Sequence, residues 1–274
     1  MAVTILMGKA GNGKSSQCFN ELQAWEAAGG KAMLLVPDQA TYGAERRLAE
    51  HAKGRGFVGT QVVGFSRLAY NVFQEQGLSH ASLSELARKI ILQRLLHKGE
   101  KDFSLLQTAA RQPNFADTAG RFLGECRSFC VSSDTLRKAA DAVSSTTLSH
   151  KLQDMALLYD MYQAFLSDHF GSADDTMTLL AKAVDKDPFL QGARVWVDGF
   201  QWFTPQQMNI LQQIEAVTDH LTITLTIDAD HLLQQRRETA LFHRAYEVYR
   251  DLQRLFPHLE TAVVPEPPPT ALTA

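Results

Sequence analysis

Gly8-Lys9-Ala10-Gly11-Asn12-Gly13-Lys14-Ser15 has the residue types and spacing that a backbone needs to cradle a polyphosphate, between an apolar run and a helical pattern. Glycines let backbone N–H groups turn inward around phosphate oxygens, and the positive end of the following helix favours the negative charge. Lys14 then reaches the β and γ phosphates and Ser15 offers a hydroxyl to Mg²⁺. The expected nucleotide-binding residues are Gly8, Lys9, Ala10, Gly11, Asn12, Gly13, Lys14, Ser15 and Ser16, with ATP and Mg²⁺ as ligands; the plainer reading is a glycine-rich turn. A second magnesium ligand comes, in this chemistry, from an acidic residue at the end of a neighbouring strand. Asp198, after Val195-Trp196-Val197, is that candidate, against the alternative of a strand-ending turn residue. Gly199 follows it and has no carboxylate to polarise an attacking water, so no catalytic base is expected.

Two other segments mix polar, aromatic and basic residues suited to phosphate and base contact. One is Pro37-Asp38-Gln39-Ala40-Thr41-Tyr42 with Arg46 and Arg47; the other is Gly64-Phe65-Ser66-Arg67. Gln39, Thr41, Arg46, Phe65, Ser66 and Arg67 are the DNA-binding candidates. A solvated basic helix face accounts for Arg46 and Arg47 about as well, and Phe65 also reads as core.

These residues need elements to hold them. Val3 to Met7 is a short apolar run, and Ser15 to Ala28 is amphipathic: strand, loop, helix. Gly29-Gly30 ends the helix, Ala32 to Val36 is the next buried run, and Pro37 stops it. Helical periodicity covers Gln39 to Ala52, Thr60 to Phe65 predicts a third strand, and Leu68, Val72 and Phe73 lie on a further helix. This βαβαβα period predicts a parallel sheet. From about Ser79 the pattern is helical alone, with Ser82 and Glu85 as a capping box and a long stripe from Leu152 through Tyr159 to Leu166. Strands return at Ala193 to Val197 and Leu221 to Ile227, separated by a helix that Thr204, Pro205 and Gln207 announce. The expected fold class is therefore α/β, a parallel sheet interrupted by an α-helical insertion.

With 274 residues, 45% hydrophobic and 21% charged, the chain has the means to bury an ordinary core. Its formal net charge of −3 gives no global attraction to nucleic acid, so DNA contact has to come from a local patch. No apolar run approaches the roughly 20 residues of a membrane span, and a soluble cytoplasmic protein is expected. Cys18, Cys126 and Cys130 are too few for a disulfide framework; Cys126 and Cys130, four apart on a predicted helix, read as buried thiols rather than metal ligands.

Together the segments resemble superfamily 1 DNA helicases: Gly8 to Ser15 is similar to motif I, and Val36 to Arg47 and Val63 to Tyr70 to the two DNA-contact motifs that follow. Val197-Asp198-Gly199-Phe200-Gln201 is similar to the Asp-Glu-x-Gln motif with its glutamate lost, which makes Gln201 the γ-phosphate candidate. Gly-x-Ala-Gly-x-Gly-Lys, Val-Pro-Asp-Gln-Ala-Thr-Tyr, Gly-Phe-Ser-Arg-Leu-Ala and Val-Asp-Gly-Phe-x-x-Phe-Thr-Pro-Gln resemble, more closely, the B subunit of the AddAB/RexAB helicase–nuclease. That resemblance implies a RecA-like P-loop domain over 1–78 and 191–262, into which the helical pattern over 79–190 is inserted; the proline-rich end, 263–274, has no core pattern and reads as a linker or artificial end. It implies a heterodimer with the helicase–nuclease A subunit, acting on DNA single strands or duplex ends in double-strand break repair and recombination. Its nuclease and iron–sulfur cluster belong to a far C-terminal part, so no iron–sulfur cluster is expected here.

The resulting expectation is an ATP-binding, DNA-associated N-terminal fragment of a helicase–nuclease subunit whose motor is degenerate. One alternative is a P-loop small-molecule kinase, with the helical segment as an acceptor lid. Another is a structural module in which the glycine-rich loop binds nothing.

Overall fold

The computed structural model describes residues 2–52, 57, 59–78, 83–112, 114–170 and 175–265. Two compact units divide the chain: Met1–Ser79 with Leu179–Ala274, and His80–Thr178.

The first unit is built on a six-stranded sheet. In chain order it contains β1 (Ala2–Gly8), α1 (Lys14–Ala27), β2 (Ala32–Leu35), α2 (Thr41–His51), β3 (Thr60–Val63) and α3 (Phe65–Glu75). The second unit contributes α4 (Glu85–Lys98), α5 (Gln107–Ala110), α6 (Phe115–Ser128), α7 (Ser133–Ala142) and α8 (Thr146–Phe170). After α9 (Thr176–Ala183) the sheet resumes with β4 (Arg194–Val197), α10 (Pro205–Glu215), β5 (His220–Thr226), α11 (His243–Leu255) and β6 (Glu260–Val263). The strand order is β3-β2-β4-β5-β1-β6 and every pairing is parallel. The α/β class and the parallel sheet are thus as the sequence periodicity predicts.

Parallel strands covered on both faces read as continuous apolar runs, as β2 does, with all four residues buried. Leu6, Leu34, Val62 and Trp196 share one core with Cys18, Phe19 and Leu22 of α1 and Ala44 and Leu48 of α2. The connections β1→β2 and β2→β3 run toward one edge of the sheet, and those that return through β4 and β5 to β6 run toward the other. Right-handed crossovers therefore put α3, α10 and α11 on the face opposite α1 and α2. β1 and its neighbour β5 send their chains away to opposite faces, which opens a crevice at their carboxyl ends.

Local details differ from the periodicity. The third strand stops at Val63, and Phe65 opens α3 instead of ending the strand. Asp38, from the loop after β2, accepts hydrogen bonds from Ser66 N (3.1 Å) and Ser66 Oγ (2.8 Å), supplying the helix end with the acceptor that Gly64 lacks. α4 begins at Glu85 with Ser84 as N-cap, its side chain accepting from Ala87 N; the predicted cap Ser82 lies outside the described residues. Cys130 lies beyond the end of α6 with φ 55°, so it shares no helix face with Cys126. β6 has no counterpart in the sequence periodicity. The sequence tail after Pro265 lies outside the described residues.

In the helical unit Leu92, Leu96, Leu123, Leu158 and Tyr162 share one core. Its most deeply buried polar residue, among those described, is Asp154, 2% exposed, whose carboxylate accepts from the backbone N–H groups of Ser104 (2.9 Å), Leu105 (2.7 Å) and Leu106 (2.9 Å). Asp154→Ala orphans these N–H groups, and a loss of about 3–5 kcal/mol is expected. Urea unfolding checks the magnitude, and hydrogen exchange at Ser104 to Leu106 checks the location. Unchanged exchange at those amides would refute the assignment.

Candidate functional site

The glycine-rich loop joins β1 to α1 at the crevice where the strand connections diverge. Gly11 and Gly13 adopt φ values of 88° and 87°, the left-handed region, with no heavy atom within 4 Å of where a Cβ would sit. Gly13 is also the N-cap of α1 and has no side chain to give, and the first turn carries no acidic residue. The first N–H groups of α1 are therefore left for an external anion. Lys14 is only 8% exposed, and its Nζ donates to the carbonyl oxygens of Gly8 (2.8 Å) and Lys9 (2.7 Å). Burial holds its pKa below the ordinary lysine value, opposed by the nearby Asp198 carboxylate.

Asp198 directly follows β4 and is 5% exposed. One carboxylate oxygen accepts from Thr224 Oγ1 of β5 at 2.7 Å, and the other has no hydrogen-bond partner among the described residues. Gly199 has φ 83°, so the chain leaves β4 in a conformation that a residue with a side chain adopts only under strain. The position differs from a glutamate site in its backbone as well as in its missing carboxylate.

A cavity of about 810 Å³ lies over these groups. Of the nine residues expected to bind nucleotide, Ala10, Gly11, Gly13, Lys14, Ser15 and Ser16 line it, together with Asp198, Gly199, Phe200 and Gln201. Gly8, Lys9 and Asn12 do not. Lys9 lies 3.9 Å from Asp228, and Asn12 Nδ2 donates to Val264 O at 3.1 Å, anchoring the loop beside β6. Sequence reasoning missed two walls. Thr224, Leu225 and Thr226 close the cavity from the end of β5, and Leu241, Phe242, Arg244 and Ala245 from the start of α11. Alternating Thr222, Thr224 and Thr226 in an otherwise apolar strand were a legible signal for the first; the second has none, since nothing local marks α11 as a neighbour of the loop.

The donor set fits a magnesium–nucleotide: a hydroxyl and a carboxylate for the cation, glycine N–H groups and a lysine for phosphate, and a volume of nucleotide size. Ser15 and Asp198 would hold the metal and Lys14 the phosphates.

The DNA candidates fall at the ends of β2 and β3. Gln39, Arg46, Ser66 and Arg67 are exposed and Thr41 half-buried. Asp38 ties the two segments together through Ser66, and Arg67 Nη1 pairs with Glu45 at 3.1 Å, joining α2 to α3. Arg46 lies 3.5 Å from Glu50. Phe65 is a correction: it is 3% exposed and packs edge-on against Phe200, ring centres 5.7 Å apart, because helix α3 starts there and turns it into the core. Exposed aromatic surface is offered instead by Tyr42 (76%) and Tyr70 (63%). Phe200 also stacks on Phe203 at 4.9 Å, so packed rings run from the cavity wall to the second of these segments.

The fold and site define an α/β protein whose parallel sheet carries, at the carboxyl ends of its strands, a glycine-rich loop and a buried aspartate. The chain belongs to the family described as ADDB, N-terminal, whose profile matches residues 5–270. Among its relatives, the B subunit of the ATP-dependent helicase/deoxyribonuclease of Pelotomaculum thermopropionicum is 34% identical over 263 residues, covering 93% of this chain and 23% of that protein. The proteins of the same description from Symbiobacterium thermophilum and Bacillus subtilis strain 168 are 34% and 31% identical, over 96% and 93% of this chain and 23% of each relative. The chain thus spans about a quarter of the length of the relatives it matches. The kinase alternative finds no support among them. No helix among the described residues is long and apolar enough to cross a membrane.

Proposed function

We propose that this chain is the nucleotide-binding, DNA-contacting N-terminal region of a helicase–nuclease subunit, working in the cytoplasm in DNA break repair and recombination beside a partner subunit. The observation that carries it is the convergence of the adjacent Lys14 and Ser15 with Asp198, from far along the sequence, on one cavity at the carboxyl ends of the parallel strands. MgATP is the ligand. Lys14 faces its β and γ phosphates, Ser15 and Asp198 hold the cation, and Gln201, on the same wall, sits toward the terminal phosphate. Gln39, Thr41, Arg46, Ser66 and Arg67 contact the strand, while Phe65 supports that surface from beneath. The shared Asp38–Ser66 link and the Phe65–Phe200 packing support a connection between nucleotide and DNA surfaces.

Two measurements test this reading. MgATP should raise the thermal midpoint of the chain, as any ligand of the native state does, and an unmoved midpoint at millimolar MgATP would favour a loop that binds nothing. Single-stranded DNA should bind weakly, with affinity falling as salt rises, because the chain has a net negative charge and contact rests on a few local cations. Arg46→Ala combined with Arg67→Ala is expected to lower the affinity about tenfold and to flatten the salt slope. A fluorescence anisotropy titration at several salt concentrations reads both; an identical slope in the double variant would remove these residues from the interface.

A further inference from the structure

Arg244 lines the same cavity as Lys14, Ser15 and Asp198, from the second position of α11. Its environment does not account for it. The other two arginines of α11 are matched by acids on their own helix: Arg250 with Glu247 at 3.8 Å and Arg254 with Asp251 at 3.0 Å. Arg244, among the described residues, has no ion-pair or hydrogen-bond partner. Its place on the helix is also unfavourable, because the first turn of α11 has no acidic residue, the N-cap Phe242 offers no side-chain acceptor, and a cation there opposes the helix dipole. An exposed arginine at the positive end of a helix thus adds positive potential to a cavity that the glycine-rich loop and Lys14 also line. The cavity is lined by two cations, Lys14 and Arg244, against one carboxylate, Asp198, which a divalent cation would neutralise. What remains is a site for a polyanion.

We infer that Arg244 is a phosphate-binding residue of this pocket, supplied by the same sheet unit and acting on the polyphosphate together with Lys14. This rests on the MgATP reading given above and names a residue that reading does not use. A guanidinium suits the role, since its fork of donors takes two phosphate oxygens at once and its charge persists at all accessible pH.

The test titrates the 274-residue chain with MgATP by calorimetry, and repeats it with magnesium tripolyphosphate, which has no base or sugar. Arg244→Ala is expected to weaken both ligands about tenfold or more, Arg244→Lys to recover part of the loss, and Arg244→Glu to be weaker than the alanine variant. The unliganded thermal midpoint should be unchanged in all three, because the side chain is exposed and has no ion-pair or hydrogen-bond partner among the described residues. Arg244→Ala within twofold of the parent for MgATP would overturn the inference alone. So would a loss for MgATP with none for tripolyphosphate, since the residue would then lie at the base. A parent chain that binds neither ligand, or Lys14→Ala binding as tightly as the parent, would instead overturn the underlying nucleotide reading.

Discussion

Lys14→Ala should lower the affinity for MgATP by roughly 10- to 100-fold, the range for losing a charged hydrogen-bonding partner of phosphate. The side chain is almost wholly buried, held by two carbonyl oxygens of its own loop, and lines the same cavity as Ser15 and Asp198. Phosphate entering the loop replaces those carbonyl contacts with a full counter-charge, so the ammonium is worth more with ligand than without. Burial lowers its pKa in the free protein, and a bound polyphosphate pushes it back up. The sign follows: the bound state holds its proton more tightly, so affinity is highest where Lys14 is protonated in both states and falls as pH rises through its lowered range. Binding at alkaline pH should take up protons, which calorimetry in buffers of different ionisation enthalpy detects. Affinity equal to the parent in Lys14→Ala would take Lys14 out of the site.

Steady-state phosphate release should be slow, with or without DNA. Three features argue this. Gly199 has no carboxylate to orient water, and its φ of 83° takes the backbone out of the conformation a glutamate would need. The described residues hold a single sheet, so no second motor domain among them faces the cavity across the nucleotide. Ile227-Asp228 ends the β5 segment without the Gly-Asp-x-x-Gln pattern of a γ-phosphate sensor, and Asp228 faces Lys9 and His231. Arg244, in the role inferred for it, would add charge beside the phosphates but supplies no carboxylate. A GTPase that carries its own arginine turns over at about 10⁻² s⁻¹, and this chain is expected not to exceed that. Gly199→Glu should not restore activity: a Cβ has room, its nearest neighbour being Pro37 Cδ at 3.6 Å, but the left-handed backbone costs about 1–2 kcal/mol. A lower thermal midpoint without faster turnover is the expected pair of results. DNA-stimulated release on the order of 1 s⁻¹ would show a working motor with a different base.

The sequence by itself determined the parallel sheet, the loop and its lysine, and the aspartate at a strand end, because each is written in local pattern. A short run of buried β-type residues stopped by glycine or proline needs no partner to be read, and a phosphate loop is a contiguous string. The helix start at Phe65 escaped it, since the acceptor for that start is Asp38, 28 residues away. β6 escaped because Glu260 to Val263 is largely exposed at a sheet edge and becomes a strand only by pairing with β1. The conformation of Gly199 was invisible, as a missing side chain and a left-handed turn are spelled with the same letter. Tertiary structure alone decided that Thr224 would hold Asp198 and that α11, far along the chain from Lys14, would bring Arg244 to the same cavity. Strand order sets which loops meet at the carboxyl end of a sheet, and strand order depends on burial and crossover handedness summed over the whole unit, which no single segment encodes.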